Sequence, residues 1–137
     1  MKRFVEIRKA IALAMCMTFV LALFSACADD SDARDGYVGS YKVTERVLGV
    51  TIDEYNITIN KSSVNNTDIV ISNFFGQPQW SINATVSGTN FTIPQQTYLI
   101  FGASGSGRKD GNTLYYSSLV TQSGGTQLST ECTAIKQ

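Results

Sequence analysis

The segment Ser81-Ile-Asn-Ala-Thr-Val-Ser-Gly-Thr-Asn-Phe-Thr-Ile93 alternates apolar and polar residues on both sides of a short turn. Ile82, Ala84 and Val86 are two residues apart, and side chains at that spacing point to the same face of a strand. Gly88-Thr-Asn90 interrupts the alternation with residues that are typical of tight turns. The segment therefore predicts a β-hairpin with one buried face and one solvated face.

The same pattern continues in both directions over residues 37–137, and no segment there has a helical period. Asp110-Gly-Asn112 is the strongest hairpin signal in the chain. Pro94 ends one run or marks an edge, because proline cannot donate a hydrogen bond to the neighbouring strand. The predicted strands are 37–48, 54–61, 68–75, 80–87, 91–93 with an extended continuation over 96–101, 113–122 and 127–135, and 102–108 is a strand or loop of small residues.

About eight short strands joined by short loops predict an all-β fold with an antiparallel meander. Closing the meander into a small barrel removes the unpaired edges of the sheet. Eight strands enclose a space just wide enough for side chains that fill it or for one small ligand. A β-sandwich is the alternative, since the strand pattern does not separate the two folds.

The N-terminal region has the three parts of a secretory signal. Its first nine residues hold four basic side chains and one acid, an apolar run covers residues 10–24, and the small residues Ser25 and Ala26 precede Cys27. The segment resembles a bacterial lipobox, which implies cleavage before Cys27 and attachment of a diacylglyceryl group to its thiol. Residues 1–26 are then a lipoprotein signal peptide. The alternatives are an uncleaved membrane helix and plain secretion.

Residues 27–36 are predicted to form a solvated tether that begins at the lipidated cysteine. This segment contains Asp29, Asp30, Asp32 and Asp35 and only one basic residue. An acidic cluster at this place resembles the surface-export signal of Bacteroides-type lipoproteins, which implies an outer-membrane protein exposed on the cell surface. The alternative is a spacer that keeps a periplasm-facing domain away from the headgroups.

The 111 residues after position 26 are enough for one domain with one modest core. They carry a formal charge of −3, which equals the charge of the tether, so the domain itself (residues 37–137) is neutral. A neutral domain has no basic stripe for nucleic acid. Cys132 is the only thiol expected after lipidation, so we expect packing and not a disulfide to stabilise the domain.

The segment Tyr37-Val-Gly-Ser-Tyr-Lys-Val43 resembles the opening strand of lipocalins and fatty-acid-binding proteins, in which Gly-x-Trp starts the barrel. Tyr41 stands at the position of that tryptophan. The runs at 69–74, 84–88, 91–97 and 111–114 are similar to the small lipocalin-like surface lipoproteins of Bacteroides-type bacteria, and Thr92-Ile-Pro-Gln-Gln96 is the most specific of the matching pieces. The resemblance implies a lipocalin-like barrel and a surface location, and it implies no reaction.

Three residues are candidates for ligand binding. Tyr41 is the counterpart of the lipocalin tryptophan. Trp80 follows a Gln-Pro-Gln turn, so it either lies exposed at a rim, where it suits sugar rings or a partner, or plugs one end of the barrel. Arg108 either points into the barrel, where it would meet a ligand carboxylate as an arginine does in fatty-acid carriers, or faces solvent.

The sequence predicts no catalytic residue, metal site or cofactor. Histidine, the commonest general base and metal ligand, does not occur in the chain. The acids after residue 36 are scattered, which disfavours a paired-carboxylate hydrolase. Gly102-Ala-Ser-Gly-Ser-Gly-Arg108 resembles a phosphate-binding loop only superficially, because it lacks the Lys-Ser/Thr ending and the following helix. Cys132 has no basic neighbour and is predicted to be a small buried residue.

The sequence favours a lipid-anchored binding or accessory module at the cell surface. Its ligand would be a small apolar or amphipathic molecule or a glycan. A structural envelope or adhesion protein with a filled core is the second hypothesis, and a hydrolase is the least favoured. An empty interior of a few hundred Å³ with a few polar groups distinguishes the first hypothesis from the second. The oligomeric state and the identity of the ligand are not encoded in any pattern of the chain.

Overall fold

Residues 31–137 are those that a computed structural model describes. The predicted signal peptide and lipidated Cys27 lie outside the described residues. The described chain forms a closed barrel of eight antiparallel strands in chain order, so the predicted lipocalin-like meander barrel is confirmed and the sandwich alternative is wrong. The strands are β1 Gly39–Val47, β2 Val50–Lys61, β3 Asp68–Ser72, β4 Ser81–Ser87, β5 Asn90–Tyr98, β6 Phe101–Asp110, β7 Thr113–Gln122 and β8 Gln127–Lys136.

The barrel closes where β1 pairs with β8. The register runs from Tyr41 opposite Lys136 to Arg46 opposite Glu131. Because consecutive strands are antiparallel, the connections alternate between two ends. We call the end with the β1–β2, β3–β4, β5–β6 and β7–β8 connections the open end, and the other the closed end.

The interior is filled by the side chains that the alternating pattern assigned to the buried face. Ile82, Ala84 and Val86 are all buried, as are Phe91 and Ile93 in the next strand. The polar residues between them face solvent, so the hairpin predicted at residues 81–93 is confirmed. Alternation of this kind fixes which face is buried, because a shift of one residue would expose every apolar side chain.

Two local predictions are wrong, and both concern the open end. Residues 96–101 were predicted to be extended, but the chain reverses at Leu99-Ile100 between β5 and β6. The third strand ends at Ser72 and not at residue 75, because a 3₁₀ helix at Phe74–Gly76 follows it. Packing accounts for the 3₁₀ helix at Phe74–Gly76, because the fully buried Phe74 ring contacts the Trp80 ring edge-on, with the ring centroids 5.5 Å apart.

The N-terminal strap, which we define as residues 32–37, covers the closed end. Arg34 of the 3₁₀ helix Ala33–Gly36 is buried, pairs with Asp32 at 2.7 Å and donates from Nη1 to the Asn65 carbonyl at 2.7 Å. Lys61 at the end of β2 also pairs with Asp32, at 2.9 Å. The Tyr37 hydroxyl donates to the Gly88 carbonyl at 3.1 Å. The prediction of a solvated tether is therefore wrong for residues 32–36, which bind to the barrel.

No helix within residues 31–137 is long and apolar enough to cross a bilayer.

Candidate functional site

A cleft of about 430 Å³ lies at the open end of the barrel. Four aromatic side chains line it, and we call it the aromatic cleft. Val120 and Leu128 of the last two strands complete the apolar wall, while amide and hydroxyl side chains stand at the rim. None of the lining side chains is charged. The lining residues are Phe75, Gln77, Gln79, Trp80, Tyr98, Leu99, Phe101, Val120, Gln122, Thr126 and Leu128.

Two connections supply the aromatic side chains of the cleft. The β3–β4 connection carries Phe75 and Trp80, and the β5–β6 turn places Tyr98 and Phe101 beside them. The Trp80 ring stacks on Tyr98 with centroids 6.0 Å apart and an angle of 23° between the planes, and it lies 6.0 Å from Phe101. Trp80 is only 5% exposed, so it plugs this end of the barrel while it also lines the cleft.

The cleft lies beside a gap in the barrel wall between β4 and β5. Their pairing extends only from Thr85 to Ser87 on β4, and β5 has an irregularity after Ile93. The Gln96 amide fills the gap: Gln96 Oε1 accepts from the Asn83 backbone N–H at 2.8 Å, and Gln96 Nε2 donates to the Asn83 carbonyl at 2.7 Å. The Gln96 side chain thus replaces backbone hydrogen bonds that are missing between β4 and β5, and the two strands separate towards the open end.

A group of polar side chains lies inside the barrel below the cleft, and we call it the inner polar cluster. Ser118 and Thr130 form its upper layer, one inward-facing position deeper than Val120 and Leu128 on the same two strands. The Ser118 and Thr130 hydroxyl oxygens are 2.9 Å apart, and Thr130 Oγ1 is 3.7 Å from Cys132 Sγ. The members of the cluster are Glu45, Tyr55, Tyr116, Ser118, Thr130 and Cys132.

Burial dominates the electrostatics of the inner polar cluster. It raises the pKa of the Glu45 carboxyl, and the hydroxyls of Thr130 and Tyr55 offset this only in part. Burial also raises the pKa values of the Tyr55 and Tyr116 hydroxyls and of the Cys132 thiol. Because a nucleophilic cysteine needs a lowered pKa, Cys132 is a packing residue, as the sequence predicted.

Glu45 Oε1, Tyr55 Oη and Tyr116 Oη are buried oxygens that make no hydrogen bond of ordinary distance and angle, although the Tyr55 hydroxyl lies close to the Glu45 carboxyl and to the Tyr116 hydroxyl. The Glu45 residue is 2% exposed and Tyr116 is 7% exposed. Because almost all buried polar atoms in folded proteins are hydrogen-bonded, three such oxygens, on β1, β2 and β7, are unusual.

The structure does not bring the three predicted ligand-binding residues together. Tyr41 is fully buried towards the closed end, where its hydroxyl donates to the Tyr37 carbonyl at 2.9 Å. Arg108 is exposed on the outer wall, with its guanidinium carbon 5.0 Å from the centroid of the Tyr115 ring. It borders an open groove of about 600 Å³ and does not point into the barrel. Trp80 alone lines the aromatic cleft.

Sequence reasoning missed Tyr98, Phe101 and Glu45. The sequence did not indicate that Tyr98 and Phe101 lie together, because no glycine, asparagine or aspartate marks the turn between them. A signal for Glu45 was present: it follows Tyr41 and Val43 at the inward-facing spacing, so an acid occupies a core position of β1.

The glycines of β6 have a packing role. A Cβ atom at Gly107 would lie 2.6 Å from Phe91 Cζ and 2.5 Å from Tyr116 Cβ. A Cβ atom at Gly105 would lie 2.4 Å from the Ser117 carbonyl oxygen. Residues 102–108 are therefore a strand that other groups approach closely, and they are not a phosphate-binding loop.

Within the described range, no group of three or more histidine, cysteine or acidic side chains is placed to hold a metal ion. No protein-family model matches the chain, and no curated protein matches it either.

Proposed function

We propose that this protein is a lipid-anchored binding module of the cell surface whose aromatic cleft holds a small apolar or amphipathic ligand. The observation that carries the proposal is the cleft itself, with four aromatic side chains around about 430 Å³ at the open end. Ligand pockets in proteins are typically ~300–1,000 Å³, mostly apolar, with a few polar groups that orient the ligand. The cleft fits this description, since glutamine amides stand at its rim.

The shape of the cleft favours an inserted ligand over a glycan. Sugar rings stack on exposed aromatic faces, but Trp80 is almost entirely buried and its neighbouring rings are mostly tilted against it. A small apolar group can instead contact the Tyr98 and Phe101 side chains, which line the cleft. The barrel below the cleft is filled with side chains, so the ligand would occupy the mouth and not a deep central cavity.

The proposed anchor is compatible with an accessible cleft. The strap begins at Asp32 on the closed end, so a lipid on Cys27 would be attached to the barrel through the end opposite to the cleft. We propose an outer-membrane location with the domain outside the cell. The acidic residues after the cysteine are the support for the surface location.

Ligand binding is tested by screening the purified protein against fatty acids, haem, small aromatic compounds and glycans. Trp80 is the only tryptophan in the chain and lines the cleft, so its fluorescence reports a bound ligand directly. A change of fluorescence together with a raised melting temperature is the expected result for an apolar compound. Binding of glycans alone would replace the small-ligand proposal, and the absence of any binding would contradict it.

The anchor is tested separately. We expect Cys27→Ser to move the protein from the membrane to the soluble fraction, as measured by detergent partitioning. Replacing Asp29 and Asp30 by alanine should prevent surface exposure, as measured by protease treatment of whole cells. Asp32 should be left unchanged in that variant, because it pairs with Arg34 and Lys61 and its loss would also disturb the strap. Unchanged protease accessibility would contradict the surface-export proposal.

Two observations favour a second candidate, a structural or adhesion protein that binds a partner at the open end: the barrel interior is filled with side chains, and large apolar side chains are exposed in the turns. Leu48 is 98% exposed and Leu99 is 78% exposed, and both lie in hairpin turns at that end. Leu48→Asp, at the turn that does not line the aromatic cleft, should leave small-ligand binding intact while it abolishes attachment to cells or matrix. Retained attachment would count against this candidate.

A further inference from the structure

We propose that the groove on the outer wall of the barrel is a second binding site, which takes a short saccharide that carries one carboxylate, such as a disaccharide ending in a uronic acid. This groove of about 600 Å³, which we call the outer groove, shares no lining residue with the aromatic cleft. The two sites are therefore independent, and the ligand of one does not depend on the ligand of the other.

The register of the strands aligns two rows of outward-facing side chains along the outer groove. One row crosses β6, β7, β8 and β1 at Ser106, Ser117, Glu131 and Arg46. Two residues further along β6 and β7, Arg108 stands opposite Tyr115. All six side chains are exposed. Because the short serine side chains lie between longer ones, they leave a depression that a ligand can enter from solvent without displacing any part of the core.

Arg108 is held at one end of the outer groove with its hydrogen-bond donors free. Its guanidinium carbon lies 5.0 Å from the centroid of the Tyr115 ring, and this stacking orients the planar group. Its ion-pair partner Asp110 is 3.9 Å away, from Nη1 to Oδ2, which is too long for a hydrogen bond. The Arg108 side chain is 62% exposed, so its fork of N–H groups can bind a carboxylate from solvent through two parallel hydrogen bonds.

Glu131 and Arg46 stand opposite each other at the other end of the outer groove, where β8 pairs with β1. The five ion pairs within residues 31–137 include neither of them. A carboxylate accepts hydrogen bonds and a guanidinium donates them, so the pair can bind neighbouring hydroxyl groups, each of which is both a donor and an acceptor. The hydroxyls of Ser106 and Ser117 offer the same combination between the two ends. Saccharides are the ligands that present such a series of hydroxyl groups.

The charge and the length of the outer groove define the saccharide further. Two arginines and one glutamate line it, which gives a net charge of +1, so one negative charge on the ligand balances the site. Arg108 on β6 and Arg46 on β1 are three strands apart, or about 14 Å at about 4.8 Å for each strand. A disaccharide with a hydrogen bond of about 3 Å at each end spans such a distance. The carboxylate therefore lies at Arg108 and the uncharged ring between Glu131 and Arg46.

The test compares cellobiuronic acid with cellobiose, which has the same two rings and the same linkage but no carboxylate. Binding to the full protein is measured by calorimetry at low ionic strength, because salt screens exposed charges. We expect the acid to bind about tenfold or more tightly than cellobiose, the size expected of hydrogen bonds to a charged group. Cyclohexanecarboxylate, an acid without hydroxyl groups, should bind about tenfold or more weakly than cellobiuronic acid. The fluorescence of Trp80 should stay unchanged, since Trp80 lines the aromatic cleft and not the outer groove.

Arg108→Gln should lower the affinity for cellobiuronic acid to that for cellobiose. Lys42→Gln is the matched control, because it removes one positive charge from the exposed face of β1 outside the groove, and it should keep the preference for the acid. Both side chains are more than half exposed, so neither variant is expected to disturb folding.

Equal affinity for cellobiuronic acid and cellobiose in the wild-type protein, or a retained preference in Arg108→Gln, would overturn the carboxylate site. Equal affinity for cyclohexanecarboxylate and cellobiuronic acid would overturn the saccharide as the ligand class. A change of Trp80 fluorescence on addition of the sugar acid would place it in the aromatic cleft and overturn the outer groove as its site. Failure of both sugars to bind would also overturn the outer groove, while binding of apolar compounds in the cleft would be unaffected.

Discussion

Gly107→Ala is the substitution whose effect the structure defines most sharply. A methyl group at this position would lie 2.5 Å from Tyr116 Cβ, 2.6 Å from Phe91 Cζ and 2.6 Å from the Tyr115 carbonyl oxygen. Carbon atoms in good contact are about 3.5–4.0 Å apart, so all three neighbours would have to move by roughly 1 Å. The Phe91 ring can turn aside, but the Tyr115 carbonyl belongs to β7, which is paired with β6 along its whole length.

Overpacking of this kind costs about 1–3 kcal/mol. Elsewhere a change from glycine to alanine stabilises a protein by about 0.4–1 kcal/mol, because it restricts the unfolded chain. We therefore expect Gly107→Ala to lower the free energy of unfolding by about 1–3 kcal/mol, or the melting temperature by about 4–8 °C for each kcal/mol. Trimming Phe91 in a double variant should not restore stability, since the clash with the β7 backbone remains.

Urea unfolding followed by Trp80 fluorescence measures this effect. Gly102→Ala is the matched control on the same strand: its Cβ atom would meet only the flexible end of Gln95 at 2.7 Å, and the next atoms are 3.8 Å and 3.9 Å away. The control should stay within about 0.5 kcal/mol of the wild type. If Gly107→Ala were as stable as the control, the packing role of the β6 glycines would be refuted.

Three further predictions concern the cleft, the inner polar cluster and the strap. Tyr98→Ala should weaken binding of an apolar ligand, because it removes the ring that stacks on Trp80. The control variant Tyr115→Ala, on the outer wall, should leave that binding unchanged. Equal losses of affinity for the two variants in ligand titrations would contradict the proposed cleft. Burial raises the pKa of the Glu45 carboxyl, so the contribution of protonated Glu45 to stability is present at acid pH and is lost as the pH rises through that raised pKa. Glu45→Gln should abolish this loss of stability, as measured by melting curves at several pH values. An unchanged pH dependence in that variant would show that Glu45 is not the source of the loss. Arg34→Ala should lower the melting temperature because it leaves the Asn65 carbonyl without its donor, and an unshifted melting curve would show that the strap contributes nothing.

The sequence alone determined most of the strands and their antiparallel meander order. The alternation over residues 81–93 and the Asp110-Gly-Asn112 turn are local signals, since side-chain direction repeats every two residues and tight turns need particular residue types. Eight such strands in a meander have two free edges, and closure into a barrel removes them. Residues 113–122 were predicted with the bounds of β7 as observed.

The candidate site was decided by the tertiary structure. The turn at Leu99-Ile100 has no local signal; it forms because Tyr98 and Phe101 pack against Trp80, and this contact is distant in sequence. The strap was predicted to be solvated because a dense run of charges favours water, but Lys61 and the carbonyls of the β2–β3 connection bind it to the closed end.

Glu45 shows most clearly where sequence reasoning ends. Its position in β1 indicated an inward-facing acid, but only the closure of β1 onto β8 places it beside Cys132 and Thr130. Alternation tells which face of a strand is buried, and it does not tell which strands share the interior. The surroundings of a buried group, and therefore its protonation, follow from pairings between distant segments that no local pattern specifies.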